Sequence, residues 1–452
     1  MHVNQSIFKA YDVRGVYPTD FNEKVAYAIA QAYVKFVKPK TVVLAMDVRR
    51  SGPKIFEAVQ RALCDAGVDV VDIGMVSTDL FYHAVASLSV DGGITISASH
   101  NPREWNGMNM CRKGAVPIVL DTGLADIRDE VIKTEKPLMA TKMGGIRKEN
   151  TWDTYAHYVL SFINASVIKP MKVVANANCG MQAKILEYIV RMGKLPLTII
   201  PLNAEPDGTF PVPHGHPNPL IPENRGAFLD LILREGADVG VSWDADGDRC
   251  FLADETGFFV DGYYGTALLA SLMLKKHPRA SIVSDPRNIW AIVDTVKQYG
   301  GNIVLTKPGM TVMPTKMHEI GAVFGGEMSA HYYFKDNWYR DNGIIPFLLI
   351  LEAVSKSGKP FSAMIQPLRD AYPYSGEINF TVADATATLK RVEAAYPDGD
   401  HATIDGVTVE YSTWRFNFRA SNTEPLVRLN IEAKTRELVR EKVEEISKVI
   451  GT

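Results

Sequence analysis

The feature that most restricts how this chain folds is a pattern that occurs three times. A β-branched strand runs into a polar turn, an amphipathic helix follows, and a turn marked by Gly or Pro leads into a second strand. The copies are TVVLAMDVRRSGPKIFEAVQRALCDAGVDVVDIG from Thr41, MKVVANANCGMQAKILEYIVRMGKLPLTII from Met171 and ASIVSDPRNIWAIVDTVKQYGGNIVLTKPG from Ala280. Each reads as a βαβ unit. Their starts lie about 110 to 130 residues apart, so the pattern predicts three α/β domains built alike.

From about Arg369 the texture changes: strands are expected around GEINFTVA, VTVEYSTWRFNFRAS and PLVRLNIEAKT, then a charged helix from Thr435 to Val449. This predicts a smaller C-terminal α+β domain. At 452 residues the chain exceeds what one hydrophobic core organises. The expected division is 1–150, 151–255, 256–368 and 369–452. Linkers are expected in the polar stretch Thr134 to Asn150 and in SKSGKP from Ser355 to Pro360, with a weakly marked boundary near Thr256.

A hydrophobic fraction of 46% is enough for packed cores and excludes a disordered chain. The net charge of -3 creates no field that would draw in nucleic acid or anionic lipid, so any bound anion must be gripped locally. Cys64, Cys111, Cys179 and Cys250 form neither a CxxC pair nor a dense framework, which fits a reducing cytoplasm. The opening MHVNQSIFKAYDVRG has no apolar run, and the run Ile344 to Leu351 is short and carries Pro346. Neither a signal peptide nor a membrane span is expected.

Five segments carry chemistry. ITISASHNPREWNGMNM places Ser97, Ser99, His100 and Asn101 ahead of Pro102, which bars helix there and predicts an exposed loop. Taken alone, it is equally good turn chemistry. ADVGVSWDADGDRCFLADETG sets Asp244, Asp246 and Asp248 at alternate positions after an apolar strand, a spacing that lets carboxylates converge on a hard cation such as Mg²⁺. A calcium loop is rejected, because its sixth position needs Gly and here is Arg249; a solvated acidic turn stays open. Arg249 beside the carboxylates suits a phosphate needing a bidentate donor.

FGGEMSAHYYF spaces Glu327, Ser329 and His331 so that an extended stretch would aim all three one way, toward sugar hydroxyls or simply as a polar strand edge. FRASNTEPLVRL crowds Arg419, Ser421, Asn422 and Thr423 into a loop and places Arg428 in the next strand, a set able to encircle a phosphate dianion or to form an ordinary turn. FKAYDVRG adds Tyr11 and Arg14 as further polar contacts.

In this order along one chain, FKAYDVRG, SASHNP, DADGDR, GEMSAH and RASNTEP resemble the α-D-phosphohexomutase family, most closely its bacterial phosphomannomutase/phosphoglucomutase group. The resemblance covers essentially the whole chain. It implies three α/β domains with mixed sheets and a C-terminal α+β domain around a central cleft. These would be a phosphoserine, a metal-binding, a sugar-binding and a phosphate-binding domain in turn.

By motif, the resemblance makes Ser99 the phosphorylated serine, and Ser99 with Asp244, Asp246 and Asp248 the Mg²⁺ site. His100 and Arg249 match catalytic positions, and Tyr11 and Arg14 match substrate contacts. Glu327, Ser329 and His331 match the sugar loop, and Arg419, Ser421, Asn422, Thr423 and Arg428 the loop for the non-reacting phosphate. It further implies interconversion of mannose 6-phosphate and mannose 1-phosphate, with glucose phosphates as the alternative and a sugar bisphosphate as activator. The implied protein is cytoplasmic, a monomer or homodimer, with no nucleic-acid or membrane partner. A phosphatase also fits an aspartate loop after a strand.

Three positions depart from the family pattern. Asn109 stands where the family has Lys, and Met310 and Pro314 stand where it has the His of a Gly-His pair and a following Lys. This points to a low-activity paralogue or a shifted substrate.

Overall fold

A computed structural model of the chain describes residues 3–134, 136–420 and 426–451. The chain forms two compact units, Met1–Phe259 with Asp336–Gly358, and Val260–Lys335 with Lys359–Thr452.

The first sheet contains β1 (Val13–Val16), β2 (Thr41–Met46), β3 (Asp69–Met75), β4 (Gly92–Ile96), β5 (Trp105–Arg112), β6 (Val116–Pro117) and β7 (Ile146–Lys148). Its order is β1-β5-β4-β2-β3-β7, with β6 on β5. Helices α1 (Glu23–Val37), α2 (Gly52–Asp65), α3 (Thr78–Ser87) and α4 (Leu124–Lys133) belong to it. The side chain of Asn22 accepts from the N–H groups of Lys24 and Val25 and so starts α1. A Cβ at Gly93 would lie 2.4 Å from Val85 and 2.8 Å from Phe81, so the glycine is what lets α3 press onto β4. The chain leaving β4 is thereby held against α3, and that chain is the serine segment.

The second sheet contains β8 (Met171–Asn176), β9 (Leu197–Leu202), β10 (Val239–Ser242), β11 (Phe251–Asp254) and β12 (Phe259–Val260), in the order β12-β11-β10-β8-β9. With it go α5 (Trp152–Leu160), α6 (Gln182–Gly193) and α7 (Gly226–Glu235). The third contains β13 (Ser281–Ser284), β14 (Asn302–Leu305), β15 (Phe324–Gly326) and β16 (Tyr332–Phe334), with α8 (Gly262–Lys276), α9 (Trp290–Gln298) and α10 (Val312–Ile320). Next in the chain come α11 (Ile345–Ser357) and α12 (Ser362–Ala371).

The fourth sheet, β17 (Tyr374–Thr381), β18 (Asp400–Ala402), β19 (Val407–Glu410), β20 (Trp414–Ala420) and β21 (Leu426–Ala433), runs β17-β21-β20-β19-β18. Helices α13 (Ala385–Ala394) and α14 (Arg436–Ile450) pack with it over Val409, Phe416, Phe418, Leu429 and Ile431.

The three repeats fold as βαβ units: β2 with β3, β8 with β9 and β13 with β14 are parallel pairs, each joined through one helix. Two expected linkers differ. The stretch 134–150 contains β7, which pairs with β3 from Val70↔Ile146 onward. The SKSGKP run is half helix, since α11 continues to Ser357 before Gly358 turns the chain at φ 64.

A larger departure is Asp336–Gly358, which lies inside the expected third domain but packs with the first unit. There the Trp243 indole donates to Gly343 O at 2.8 Å, and Asn342 Oδ1 accepts from Ile344 and Ile345 N–H at the start of α11.

In the second unit Glu432 of β21 is fully buried and caps α9 from a distance in sequence. It accepts from Ile289 N at 2.8 Å, Trp290 N at 3.1 Å, Tyr263 Oη at 2.5 Å and Arg415 Nη1 at 2.8 Å. A carboxylate at a helix N-terminus satisfies orphan donors and the helix dipole together. The four cysteines are buried and form no disulfide. Among the described residues no helix is long and apolar enough to cross a membrane.

Candidate active site

In the first unit, the irregular segment after β4 holds Ser99 in the left-handed region at φ 46, buried rather than exposed as the loop reading predicts. A non-glycine residue there stores strain that its surroundings must hold. Ser99 N donates to Ser97 Oγ at 3.0 Å, so Ser97 shapes the backbone while Ser99 presents its hydroxyl. Ser99 Oγ lies 3.0 Å from His100 Nδ1 and 3.5 Å from Asp244 Oδ2. Arg249 Nη2 is 3.0 Å from the same His100 Nδ1. A guanidinium only donates, so Nδ1 is the accepting nitrogen and is also open to the serine hydroxyl.

The aspartates sit in the turn from β10 to β11. Asp244, Asp246 and Asp248 are all buried, and each offers an oxygen within 4.8 Å of the others. The turn requires Gly247, which has φ 80 and where a Cβ would meet Gln182 at 2.4 Å. Thr78 anchors it, its N–H and its hydroxyl both reaching Asp246 at 2.9 Å. Because β11 already begins at Phe251, Glu255 lies beyond the strand and no calcium-type loop forms.

The donor set fits a divalent cation. Asp246 Oδ1 is buried and accepts no hydrogen bond. Burial, reinforced by the charges of Asp246 and Asp244, pushes the Asp248 carboxyl well above its ordinary range.

Arg14 donates from Nη1 to Asn101 Oδ1 at 2.6 Å and pairs with Asp12 at 2.7 Å. Burial works against its charge, yet Asp12, Asp246 and Asp248 raise its pKa above the ordinary value. Tyr11 is 40% exposed.

Two side chains of this unit escape sequence reasoning. Arg49 is buried and donates to the carbonyls of Ser99 and Asn101, both at 2.6 Å. Asp79 is buried and accepts from Tyr155 Oη at 2.7 Å, and from Gln182 Nε2 and Gly343 N, both at 3.2 Å. The only signal for Arg49 is its place in the turn of the first repeat, MDVRRSGP. Asp79 looks like an ordinary residue of a helix's first turn.

In the second unit the EMSAH segment is a turn, not an extended stretch: β15 ends at Gly326 and Ala330 has φ 63. Glu327, Ser329 and His331 converge because the chain reverses, not because they alternate along a strand. Ser329 Oγ donates to Glu327 Oε2 at 2.8 Å and lies 2.9 Å from His331 Nδ1. Burial works to raise the Glu327 carboxyl. His331, Arg287 and the Gly309 N–H outweigh it and hold the carboxyl down at about 2.

Arg419 and Arg428 face each other across β20 and β21. Such like charges repel, and Glu377 bridges them at 2.7 Å and 3.4 Å. Arg287, paired with Asp285 at 2.7 Å, stands 3.8 Å from the same carboxylate. Asp285 also accepts from Met328 N at 2.9 Å, which ties the EMSAH turn to these arginines. Ser421, Asn422 and Thr423 lie outside the described residues.

Of the departures, Asn109 lies in β5, buried, with an Oδ1 that has no hydrogen-bond partner. Met310 follows Gly309, whose N–H donates to Glu327 Oε1 at 2.8 Å. Pro314 lies in α10.

The phosphoglucomutase/phosphomannomutase family models match in order along the chain: α/β/α domain I at 5–138, domain II at 153–257, domain III at 261–372 and the C-terminal domain at 377–449. A phosphomannomutase of Salmonella montevideo is 42% identical over 437 residues, covering 95% of each chain. A protein of Xanthomonas campestris named for phosphohexose mutases is 42% identical over 449 residues, covering 98% of each. A phosphoglucomutase/phosphomannomutase family protein of Burkholderia thailandensis has a solved structure at TM-score 0.87 and 30% identity, covering 99% of this chain and 98% of its own. With all four models matched in order, and with whole-length relatives in both sequence and fold, the chain belongs to the phosphoglucomutase/phosphomannomutase family.

Proposed function

We propose that this mutase interconverts mannose 6-phosphate and mannose 1-phosphate through a phosphoserine at Ser99 and a sugar bisphosphate that also primes the enzyme. The observation that carries the reading is the placement of Ser99 Oγ beside both His100 Nδ1 and the aspartate cluster.

A Mg²⁺ ion held by Asp244, Asp246 and Asp248, with Ser99 completing the set, would offset charge on the phosphoryl oxygens. The chain's own groups do the rest. Phosphorylated Ser99 gives its phosphoryl group to a sugar hydroxyl: the Oγ–P bond breaks, a sugar O–P bond forms, and the hydroxyl proton ends on Ser99 Oγ. Return of the other phosphoryl group reverses these steps from the second sugar oxygen. His100 Nδ1 is placed to hold the proton at Oγ, and Arg249 keeps that nitrogen the acceptor. In the second unit Glu327, Ser329 and His331 hold sugar hydroxyls, and Arg419 and Arg428, with Ser421, Asn422 and Thr423, grip the phosphate that does not react. Arg14 and Tyr11 add substrate contacts.

A second reading, a sugar-phosphate-binding paralogue with slow turnover, is favoured by Asn109, whose buried Oδ1 has no partner where the family carries Lys.

Ser99→Ala should abolish phosphate labelling by a sugar bisphosphate, read by intact mass, and with it turnover of mannose 1-phosphate and glucose 1-phosphate in a coupled assay. A labelled Ser99→Ala protein would move the carrier to Ser97. Steady release of inorganic phosphate would make the protein a hydrolase.

A further inference from the structure

The segment from Ser99 to Glu104 is irregular, and three of its backbone carbonyls, with that of Trp105 at the start of β5, are taken up by one side chain. Arg49, in the turn between β2 and α2, donates from Nη1 to Pro102 O at 2.7 Å and to Trp105 O at 2.9 Å. From Nη2 it donates to Ser99 O and Asn101 O, each at 2.6 Å. Its Nε faces Asp47 Oδ2 at 3.3 Å, and the guanidinium lies 5.1 Å from the centre of the Phe210 ring.

Buried carbonyls in a segment without a ladder need partners, and a planar fork with five donors serves four of them at once. Lysine has three donors around one nitrogen and cannot span the set. The loop's fixed points follow from this. Ser99 sits at φ 46, a conformation that persists only where its surroundings over-determine it. Its N–H is held by Ser97 Oγ and its carbonyl by Arg49, so both peptide groups that set its orientation are fixed.

We propose that Arg49 is a positioning residue for phosphoryl transfer, fixing the backbone of the serine loop so that Ser99 Oγ points at His100 and the aspartate cluster. The inference rests on the reading of Ser99 as the phosphoryl carrier. Both terminal nitrogens of the guanidinium are engaged within the protein and the side chain is buried, so Arg49 makes no contact with substrate, and its loss acts on transfer rather than on binding. Displacing a reacting atom by about 1 Å costs about 100-fold in rate.

The test compares the wild-type protein with Arg49→Lys, Arg49→Gly, Phe210→Leu and Ser99→Ala, each with Mg²⁺ and glucose 1,6-bisphosphate. Ser99 phosphorylation is followed by intact mass and peptide mapping, alongside KM and kcat on mannose 1-phosphate and a melting curve. Arg49→Lys should fold with a lowered melting temperature, since it leaves carbonyls without donors, and keep its KM, but label Ser99 about 100-fold more slowly. In Arg49→Gly, added guanidinium ion should restore part of the labelling rate. Phe210→Leu, which keeps the fork but removes its stacking face, should slow labelling less and leave KM unchanged.

A folded Arg49→Lys that labels at the wild-type rate overturns the proposal. Should that variant fail to fold, an unchanged rate in folded Phe210→Leu together with no guanidinium rescue overturns it instead. Label that maps away from Ser99 in the wild type, or that persists in Ser99→Ala, refutes the carrier reading itself and is told apart by the peptide map.

Discussion

Asn109 and Met310 concentrate the functional question into two side chains. Neither can move a proton or form an ion pair with a phosphate, whereas the Lys and His that the family resemblance implies at those positions could do both. A missing general acid or base lowers a rate by about 10²–10⁴-fold. Lys316, two positions beyond Pro314 on α10, is tied to Glu319 at 2.5 Å. Asn109→Lys and Met310→His, singly and together, should therefore raise kcat on mannose 1-phosphate in a coupled assay. Wild-type turnover already at about tens per second, within the usual range for enzymes, would mean that other groups serve in their place.

At the scale of elements, α3 and α5 meet the returning segment around His83. The ring lies 5.5 Å from Tyr155, 4.8 Å from Tyr158 and 5.9 Å from Trp338, measured between centroids. Both of its nitrogens are buried without a hydrogen-bond partner. Close by, the Asp79 carboxylate accepts from Tyr155, and the Asp336 backbone carbonyl accepts from Tyr158. Burial lowers the His83 pKa from 6.5 to about 4.

Between those two values the unfolded chain binds the proton and the folded one does not, so stability rises with pH across that window. The contribution is complete above pH 6.5, is lost as pH falls toward 4 and is worth about 3 kcal/mol. Melting curves of wild-type and His83→Phe proteins from pH 7.5 down to 4.5 should show the wild type losing more stability than the variant. Parallel curves would mean that His83 titrates normally.

For the whole molecule, the chain passes between its two units more than once, and the aspartate cluster belongs wholly to the first. Three buried carboxylates so close together oppose folding until a cation offsets their charge. Mg²⁺ at about 100 times its Kd should stabilise the first unit by about 2.7 kcal/mol. Hydrogen exchange should show new protection in peptides covering 239–254 and 94–101, with β17 to β21 unchanged. The double variant Asp244→Asn, Asp246→Asn should lose that gain, and a gain retained in it would place the ion elsewhere.

The sequence by itself determined what depends on short spacing. The strand–turn–helix rhythm of the three repeats, the spacing of the aspartates after an apolar strand, and the strands of the C-terminal domain are all set within about thirty residues, where periodicity and turn chemistry act. The loops that carry Ser99 and the aspartates were legible for the same reason, as each is a contiguous run.

Tertiary structure alone decided the contacts that join distant stretches. Arg49 reaches Trp105, 56 positions away, Glu432 caps a helix that starts 142 positions earlier, and Gly343 finds Asp79 across 264. No local pattern specifies these, because a buried donor or acceptor takes whichever partner the packed chain brings within reach. The EMSAH turn shows the same limit in a short segment: alternate spacing fits a strand, but Ala330 at positive φ and the hydrogen bonds of Glu327 make the chain reverse there.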